Sequence, residues 1–280
     1  MLSYQHAYHA GNFADALKHV VLIHALNYLK KKNKPLCYID THAGSGDYKL
    51  NSSEAQKNQE FQSGIGNLWQ REDLPACVSD YVKLIKQANH SGQLLRYPGS
   101  PLIASQMLGD KDRLFLYELH TAESRLLNEV VKKDKRIKVF RSNGLTDSLG
   151  LLPPKENRGL ILIDPSYEIK NEYQTVVDVL KDMHKRFATG CYLLWYPVVA
   201  RKRNQYLERA LQISGIKNIQ LFELGIQADS DEHGMTACGM IVINPPWTLL
   251  GDMQQVLPWL AEALGQDQQG LYRVEQLVSE

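Results

Sequence analysis

Seven short runs dominated by apolar residues are spaced along the chain: Leu36-Cys37-Tyr38-Ile39, Leu114-Phe115-Leu116-Tyr117, Ile137-Lys138-Val139-Phe140, Leu160-Ile161-Leu162-Ile163, Cys191-Tyr192-Leu193-Leu194-Trp195, Ile219-Gln220-Leu221-Phe222-Glu223-Leu224 and Met240-Ile241-Val242-Ile243. Each is too short for a helix, and a run such as 160–163 has no alternation, the pattern of a strand buried on both faces. Stretches of helical spacing lie between them. From Phe13 onward, Ala16, Leu17, Val20 and Ile23 recur so that one helix face turns inward, while Asp15, Lys18 and His19 share another. A further helix is predicted over 173–187. Alternating β and α elements give a parallel sheet covered on both faces. The last two runs are separated by a polar loop, 227–238, and no helix. They form a hairpin, so the seventh strand is reversed.

The stretch 51–97 breaks this rhythm. It is polar and helical in character, with Phe61, Ile65, Leu68 and Trp69 in one apolar stripe and Tyr81, Leu84 and Ile85 in another. It is also far longer than an ordinary strand-to-helix connection. We expect an inserted helical subdomain at 51–97. It would divide residues 1–50, an N-terminal motif and the start of the main domain, from 98–280, the remainder of that domain. The main fold resumes at Pro98-Gly99-Ser100-Pro101, where Ser100 suits an N-cap and Pro101 the first helical position.

Composition narrows the class. A chain of 280 residues, 44% of them hydrophobic, can bury a sizeable core, and disorder is not indicated. No stretch approaches the roughly 18 apolar residues of a membrane span, and 1–13 lacks the apolar segment of a signal peptide, so a cytoplasmic protein is expected. The cysteines Cys37, Cys77, Cys191 and Cys238 are scattered without a C-x-x-C pair, which suits reduced thiols and argues against a zinc ribbon. His6, His9, His19 and His24 also lack a ligand spacing such as H-E-x-x-H, and no metal is expected. Net charge is only +1. Nucleic-acid binding would have to come from local clusters, of which Lys30 to Lys34 and Arg201-Lys202-Arg203 are two. Solvated helix faces look the same, especially at 30–34.

Candidate chemistry collects at the ends of the predicted parallel strands. Asp164-Pro165-Ser166-Tyr167 follows the run 160–163. Pro165 biases Asp164 away from helical geometry. That aims one carboxylate and the Pro165 carbonyl at the crevice, with Tyr167 beside them. Two acceptors for the N–H groups of an exocyclic amine, plus an aromatic face for its ring, make an amine-methylating set. The tetrapeptide is equally an ordinary strand-to-loop turn. After the first strand comes Asp40-Thr41-His42-Ala43-Gly44-Ser45-Gly46, whose glycines permit close backbone approach to a ligand. A surface turn is the competing reading there. The spacing is not G-x-G-x-x-G; Asp-x-x-x-Gly-x-Gly is similar to the loop of S-adenosylmethionine methyltransferases. Glu118 ends the second strand, where a carboxylate takes ribose hydroxyls. Asn143-Gly144 follows the third, where a cofactor adenine would lie. Tyr4, His6, Tyr8, His9, Asn12, Asp15, Lys18 and His19 crowd the N-terminus; Tyr and His stack on bases and Lys meets phosphate. Asn244-Pro245-Pro246-Trp247 also fits an amine-methylation motif, but a reversed last strand would carry it to the opposite sheet edge.

With these residues assembled, the chain resembles end to end the bacterial 23S ribosomal RNA adenine N6-methyltransferase family called large subunit methyltransferase J. The likeness rests on Ser3-Tyr4 through His6, His9-Ala10-Gly11-Asn12, Lys18-His19, Asp40 to Gly44, Tyr97 to Pro101, Leu160 to Pro165 and Trp195-Tyr196-Pro197. It implies a class I S-adenosylmethionine methyltransferase fold, a Rossmann-like sheet of seven strands with six parallel. It also implies that His19, His42, Gly44, Ser100, Glu118, Asn143, Gly144 and Asp164 hold S-adenosyl-L-methionine. Asp164 would be the catalytic acceptor, assisted by Pro165 and Tyr167. Tyr4, with His6, Lys18 and Tyr167, would meet 23S rRNA, free or partly assembled, and the protein is expected to act as a monomer. The chain departs from the family pattern at Asn143, where Asp is expected, and at Ser166, which replaces the second Pro of D-P-P-Y. Rival expectations are a DNA adenine or protein amide methyltransferase, or a nucleic-acid binding protein; an older label on similar proteins concerns external DNA used as a nutrient.

Overall fold

The computed structural model describes residues 5–168, 171–230 and 234–280. Five strands form the first half of the main sheet and its centre: β1 (Cys37–Asp40), β4 (Arg113–Tyr117), β5 (Ile137–Phe140), β6 (Gly159–Ile163) and β7 (Cys191–Val198). It is completed by β8 (Ile219–Gly225), β9 (Ala237–Ile243) and β10 (Leu271–Val278), while β2 (Asp47–Lys49) and β3 (Arg96–Pro98) pair separately. The strand order is β10-β8-β9-β7-β6-β1-β4-β5. Neighbours from β7 to β5 pair in parallel, and β9 runs antiparallel between β7 and β8.

Six strands are therefore parallel with a reversed seventh, as expected, but an eighth, β10, pairs antiparallel with β8. Its sequence gave no sign because the strand sits at the sheet edge with exposed and half-buried residues, so neither a continuous apolar run nor clean alternation is needed.

The helices are α1 (Phe13–Lys30), α2 (Ser53–Asn58), α3 (Ala76–Gln87), α4 (Ser100–Met107), α5 (Thr121–Val131), α6 (Gly144–Asp147), α7 (Glu172–Arg186), α8 (Arg201–Gln212) and α9 (Leu249–Leu264). None among the described residues is long and apolar enough to cross a membrane. One face of the sheet packs on α1, α4 and α9 and the other on α7 and α8, in two separate cores. Helix α1 starts where predicted because Asn12 Oδ1 accepts from Ala14 N and Asp15 N, each at 3.0 Å. It is buried almost all round, from Phe13 through Ile23, and not on one face only. The reason is that it lies between the sheet and a further layer.

That layer is the segment 51–97. The antiparallel β2–β3 ladder closes its base. Its Ile65, Leu68, Tyr81, Val82 and Ile85 join the same cluster as Leu17, Val20 and Leu22 of α1. The N-terminal motif is clamped to it: Ile65 N donates to Gly11 O at 2.8 Å, and Asn12 Nδ2 to Glu60 Oε2 at 2.9 Å. At Gly64 a Cβ would stand 2.1 Å from Gly11 O, so the close approach needs glycine.

Helix α4 begins one residue away from the expected cap. Gly99 is the N-cap and Ser100 the first helical residue, because the Ser100 hydroxyl donates instead to Asp40 Oδ2 at 2.7 Å. Asn244 to Trp247 lie at the far sheet edge, where Asn244 Nδ2 donates to Ala188 O and Gly190 O just before β7, each at 2.8 Å. Lys30 to Lys34 stand at that far edge too, with Arg158, the residue before β6, donating to Lys34 O at 2.7 Å.

Because the segment 51–97 and α1 share one core, truncating Leu22, fully buried, should cost about 2–5 kcal/mol. Urea unfolding of Leu22→Ala followed by tryptophan fluorescence and circular dichroism should show one coincident transition. Ile213→Ala, at an 85% exposed position, should stay within about 0.5 kcal/mol of wild type.

Candidate active site

The chain leaves β1 for strands on one side and returns at β6 on the other, so the C-terminal rim between β1 and β6 is a topological switch point, where open α/β sheets bind ligands. The turn after β1 lies across its neighbours' tips: Thr41 N donates to Leu162 O at 3.0 Å and Ala43 N to Tyr117 O at 2.8 Å. Gly44, at φ +60°, donates its N–H to Glu118 Oε2 at 2.9 Å. A Cβ on Gly44 would meet the Tyr48 hydroxyl at 2.2 Å. Glu118 also accepts from His120 N at 2.6 Å, and burial raises its carboxyl above the usual range.

Next along the rim, Asn143 Oδ1 caps α6 by accepting from Leu145 N at 3.0 Å. Its oxygen keeps a second lone pair. Gly144 packs so closely that a Cβ would stand 2.2 Å from Thr41 O. Beneath the turn, Asp40 is fully buried and accepts from Tyr38 Oη at 2.8 Å, Ser100 Oγ at 2.7 Å and His42 N at 3.2 Å. Burial pushes its carboxyl up to about 6 against those donors. Burial likewise lowers His42 to about 4 and His19 to about 3, so both rings are neutral. His19 Nδ1 lies 2.7 Å from Tyr97 Oη, which lies 3.0 Å from Tyr81 Oη. His19 Nε2 is buried with no partner among the described residues.

The other half of the rim is built around Lys18. Its ammonium lies 2.7 Å from Asp164 Oδ2 and 2.8 Å from Asp15 Oδ1. Asp15 Oδ2 accepts from Gly11 N at 2.8 Å and pairs with His6 Nε2 at 2.9 Å. Burial opposes charge on both Lys18 and Asp15. The facing charges outweigh it, raising Lys18 well above and lowering Asp15 well below their usual ranges. Lys18, expected to meet phosphate, is thus an internal cation that fixes the Asp164 carboxylate. Asp164 Oδ1 and the Pro165 carbonyl have no partner among the described residues. Tyr167 has φ +54° and is only 7% exposed. Its hydroxyl donates to Trp195 O at 3.0 Å and its ring packs 4.4 Å from Tyr173. It forms part of the cavity wall beside Asp164.

Above the buried Asp40, Tyr38, Tyr81 and Tyr97, the two halves of the rim open onto one cavity of about 440 Å³, within the range of ordinary small-molecule sites. Its lining includes His6, Lys18, His19, His42, Gly44 and Ser100, and also Glu118, Asn143, Gly144, Asp164, Pro165 and Tyr167. Tyr4 lies outside the described residues. Glu123 and Tyr173, which the sequence did not mark, line it as well, as do Asp15, Trp195 and Arg203, marked there only as members of the N-terminal group, the 195–197 motif and a basic cluster. Asp15 had a signal, its position three residues before Lys18 on one helix, and Trp195 had one in the 195–197 motif; Tyr173 had none, since only the fold brings α7 to this rim. Away from the cavity, His24, Cys77 and Asp252 each place one ligand atom within 4.8 Å of the others. The His24 Nε2 to Asp252 Oδ2 hydrogen bond, 2.7 Å, already joins two of them.

A model of the family "Ribosomal RNA large subunit methyltransferase D, RlmJ" matches residues 33–278. Curated proteins named "Ribosomal RNA large subunit methyltransferase J" are similar over nearly the whole chain. The one from Haemophilus influenzae is 47% identical over 281 residues, covering 100% of both chains. The one from Escherichia coli K12 is 50% identical over 264 residues, covering 94% of each. The crystal structure of a Legionella pneumophila protein superposes with a TM-score of 0.89 at 39% identity, covering 96% of this chain and 98% of that one.

Removing the Lys18 ammonium takes from the buried Asp15 one of the two side chains that pair with it, the other being His6, and so Lys18→Met should cost about 3–5 kcal/mol at neutral pH. The depressed Asp15 carboxyl contributes stability that is present above about pH 4, its unfolded value, and lost as pH falls through its folded value. Urea titrations at decreasing pH should therefore show the gap between wild type and Lys18→Met narrowing below about pH 4.

Proposed function

The chain belongs to the ribosomal RNA large subunit methyltransferase J family, and from that membership we infer that it transfers a methyl group from S-adenosylmethionine to N6 of an adenine in 23S ribosomal RNA. The observation that carries the reading is the meeting of two half-sites on one cavity: the Gly44–Glu118 turn, and Asp164 gripped by Lys18.

The residues on the β1 side fit the cofactor. Glu118 is placed for the ribose hydroxyls, and Asn143 with Gly144 for the adenine edge. A hydroxyl chain from Tyr81 through Tyr97 to His19 Nδ1 would leave the proton on His19 Nε2, the buried atom without a partner. That N–H, with the first amides of α4, suits the methionine carboxylate. When bound, the cofactor supplies a methyl group already activated on a sulfonium.

The chain's own task is then positioning and electrostatics. An adenine drawn out of its stack would present N6 to Asp164 Oδ1 and the Pro165 carbonyl. Both accept N–H bonds, which turns the nitrogen lone pair towards the donor. Lys18 holds Asp164 Oδ2, so the carboxylate cannot rotate away. Positive charge develops on N6 as the bond forms, and the adjacent carboxylate stabilises it. Burial behind Tyr167, Tyr173 and Trp195 excludes water from the acceptor side.

Asp164→Asn retains size and one acceptor but loses the charge. We expect kcat on transcribed 23S rRNA to fall by roughly 10²–10³-fold, read as N6-methyladenosine by mass spectrometry of the digested RNA, with an unchanged circular dichroism spectrum. Glu118→Ala should weaken S-adenosylmethionine binding by about 10-fold or more in calorimetry. Wild-type turnover from a folded Asp164→Asn would remove this residue from the chemistry.

A further inference from the structure

Among the described residues lining the cavity, Lys18 and Arg203 are the arginine and lysine side chains. Lys18 is neutralised by Asp15 and Asp164. Arg203 has no ion pair or side-chain hydrogen bond among the described residues, although it stands two positions from Arg201, which is gripped by Glu223 at 2.7 Å and Asp229 at 2.7 Å. Arg203 occupies the first turn of α8, the end of a helix that disfavours cations, and no acidic residue there offsets it. Helix stability does not explain its placement.

Its position does have a functional reading. Helix α8 follows β7, the neighbour of β6 on the side away from β1. Arg203 therefore stands on the acceptor side of Asp164, opposite the Gly44–Glu118 half. Beside it Val199 is 47% exposed on the rim. The rest of the rim carries carboxylates, Glu118, Glu123 and Glu172, which repel an RNA backbone.

We propose that Arg203 anchors a phosphodiester of the RNA segment whose base enters the Asp164 pocket, and so sets the register in which that base is offered. The proposal rests on the RNA-methylating reading above and adds the residue that holds the backbone. A guanidinium fork matches two phosphate oxygens, and a phosphate contact positions the chain without reading its sequence. Of the basic clusters legible in the sequence, 201–203 serves this rim, while 30–34 stands at the opposite sheet edge.

The test compares wild type, Arg203→Ala, Arg203→Lys and, as a control at the far edge, Lys34→Ala. Each is titrated with transcribed 23S rRNA at several salt concentrations and assayed for methyl transfer. For Arg203→Ala we expect KM for RNA to rise about 10-fold with kcat within about 2-fold and S-adenosylmethionine affinity by calorimetry unchanged. The slope of log affinity against log salt should shrink by about 0.7–0.9, one phosphate contact. Arg203→Lys should restore the salt slope but only part of the affinity, since an ammonium lacks the bidentate fork, and Lys34→Ala should match wild type. An unchanged KM and slope in Arg203→Ala, or equal losses in Lys34→Ala, would overturn the proposal. The binding titration reads Arg203 whether or not methyl transfer occurs, so failure of wild type to methylate RNA would count against the RNA-methylating reading separately.

Discussion

A lysine ammonium taken out of water is tolerable only where carboxylates surround it, and the rest of this molecule is arranged to meet that condition at Lys18. Asp15 comes from the same helix and Asp164 from the tip of β6, so one cation joins α1 to the cavity rim. Asp15 in turn holds the N-terminal motif through Gly11 N and His6. That motif is held from its other side by Glu60, which bonds His9 and Asn12. The network runs from the helical segment 51–97 to Asp164, and within it the Lys18 ammonium is met by two carboxylates. It accounts for polar residues buried in α1 that would otherwise weaken a core helix.

Two aspartates near one rim are held in different ways. Asp40 is surrounded by hydroxyls and one amide, neutral donors that do not offset burial, and its carboxyl is pushed up to about 6. Asp164 faces an ammonium. Asp40 is suited to shaping the turn and fixing Ser100, while Asp164, its Oδ2 on Lys18, keeps Oδ1 without a partner among the described residues. The sheet topology assigns them to these roles, because β1 and β6 flank the switch point and send their ends to the same crevice.

The same topology separates the two ligands. The groups suited to the cofactor come from β1, β4 and β5 with the loops after them, from the start of α4 and from His19 of α1. Everything suited to an acceptor base comes from β6 and β7, α1 and α8. A charge of either sign therefore stands in a different setting on each side: the Glu118 carboxylate beside the Gly44 turn, and at Arg203 a guanidinium without an ion pair among the described residues.

Much of this was legible in the sequence because it is local. Buried parallel strands read as continuous apolar runs, helical spacing from Phe13 marks α1, and a reversed seventh strand excludes Asn244 to Trp247 from the rim by geometry alone. The edge strand β10 was not legible, since half-exposed residues carry no pattern. Nor were the partners of Lys18. A free lysine beside an N-terminal motif looks like a phosphate contact, and its true neighbour, Asp164, is 146 positions away. Short-range spacing and residue chemistry determined which side chains face the crevice. Which of them neutralise one another, and which charge remains free for a ligand, is a matter of distances through a low-dielectric interior, and those exist only once the chain has folded.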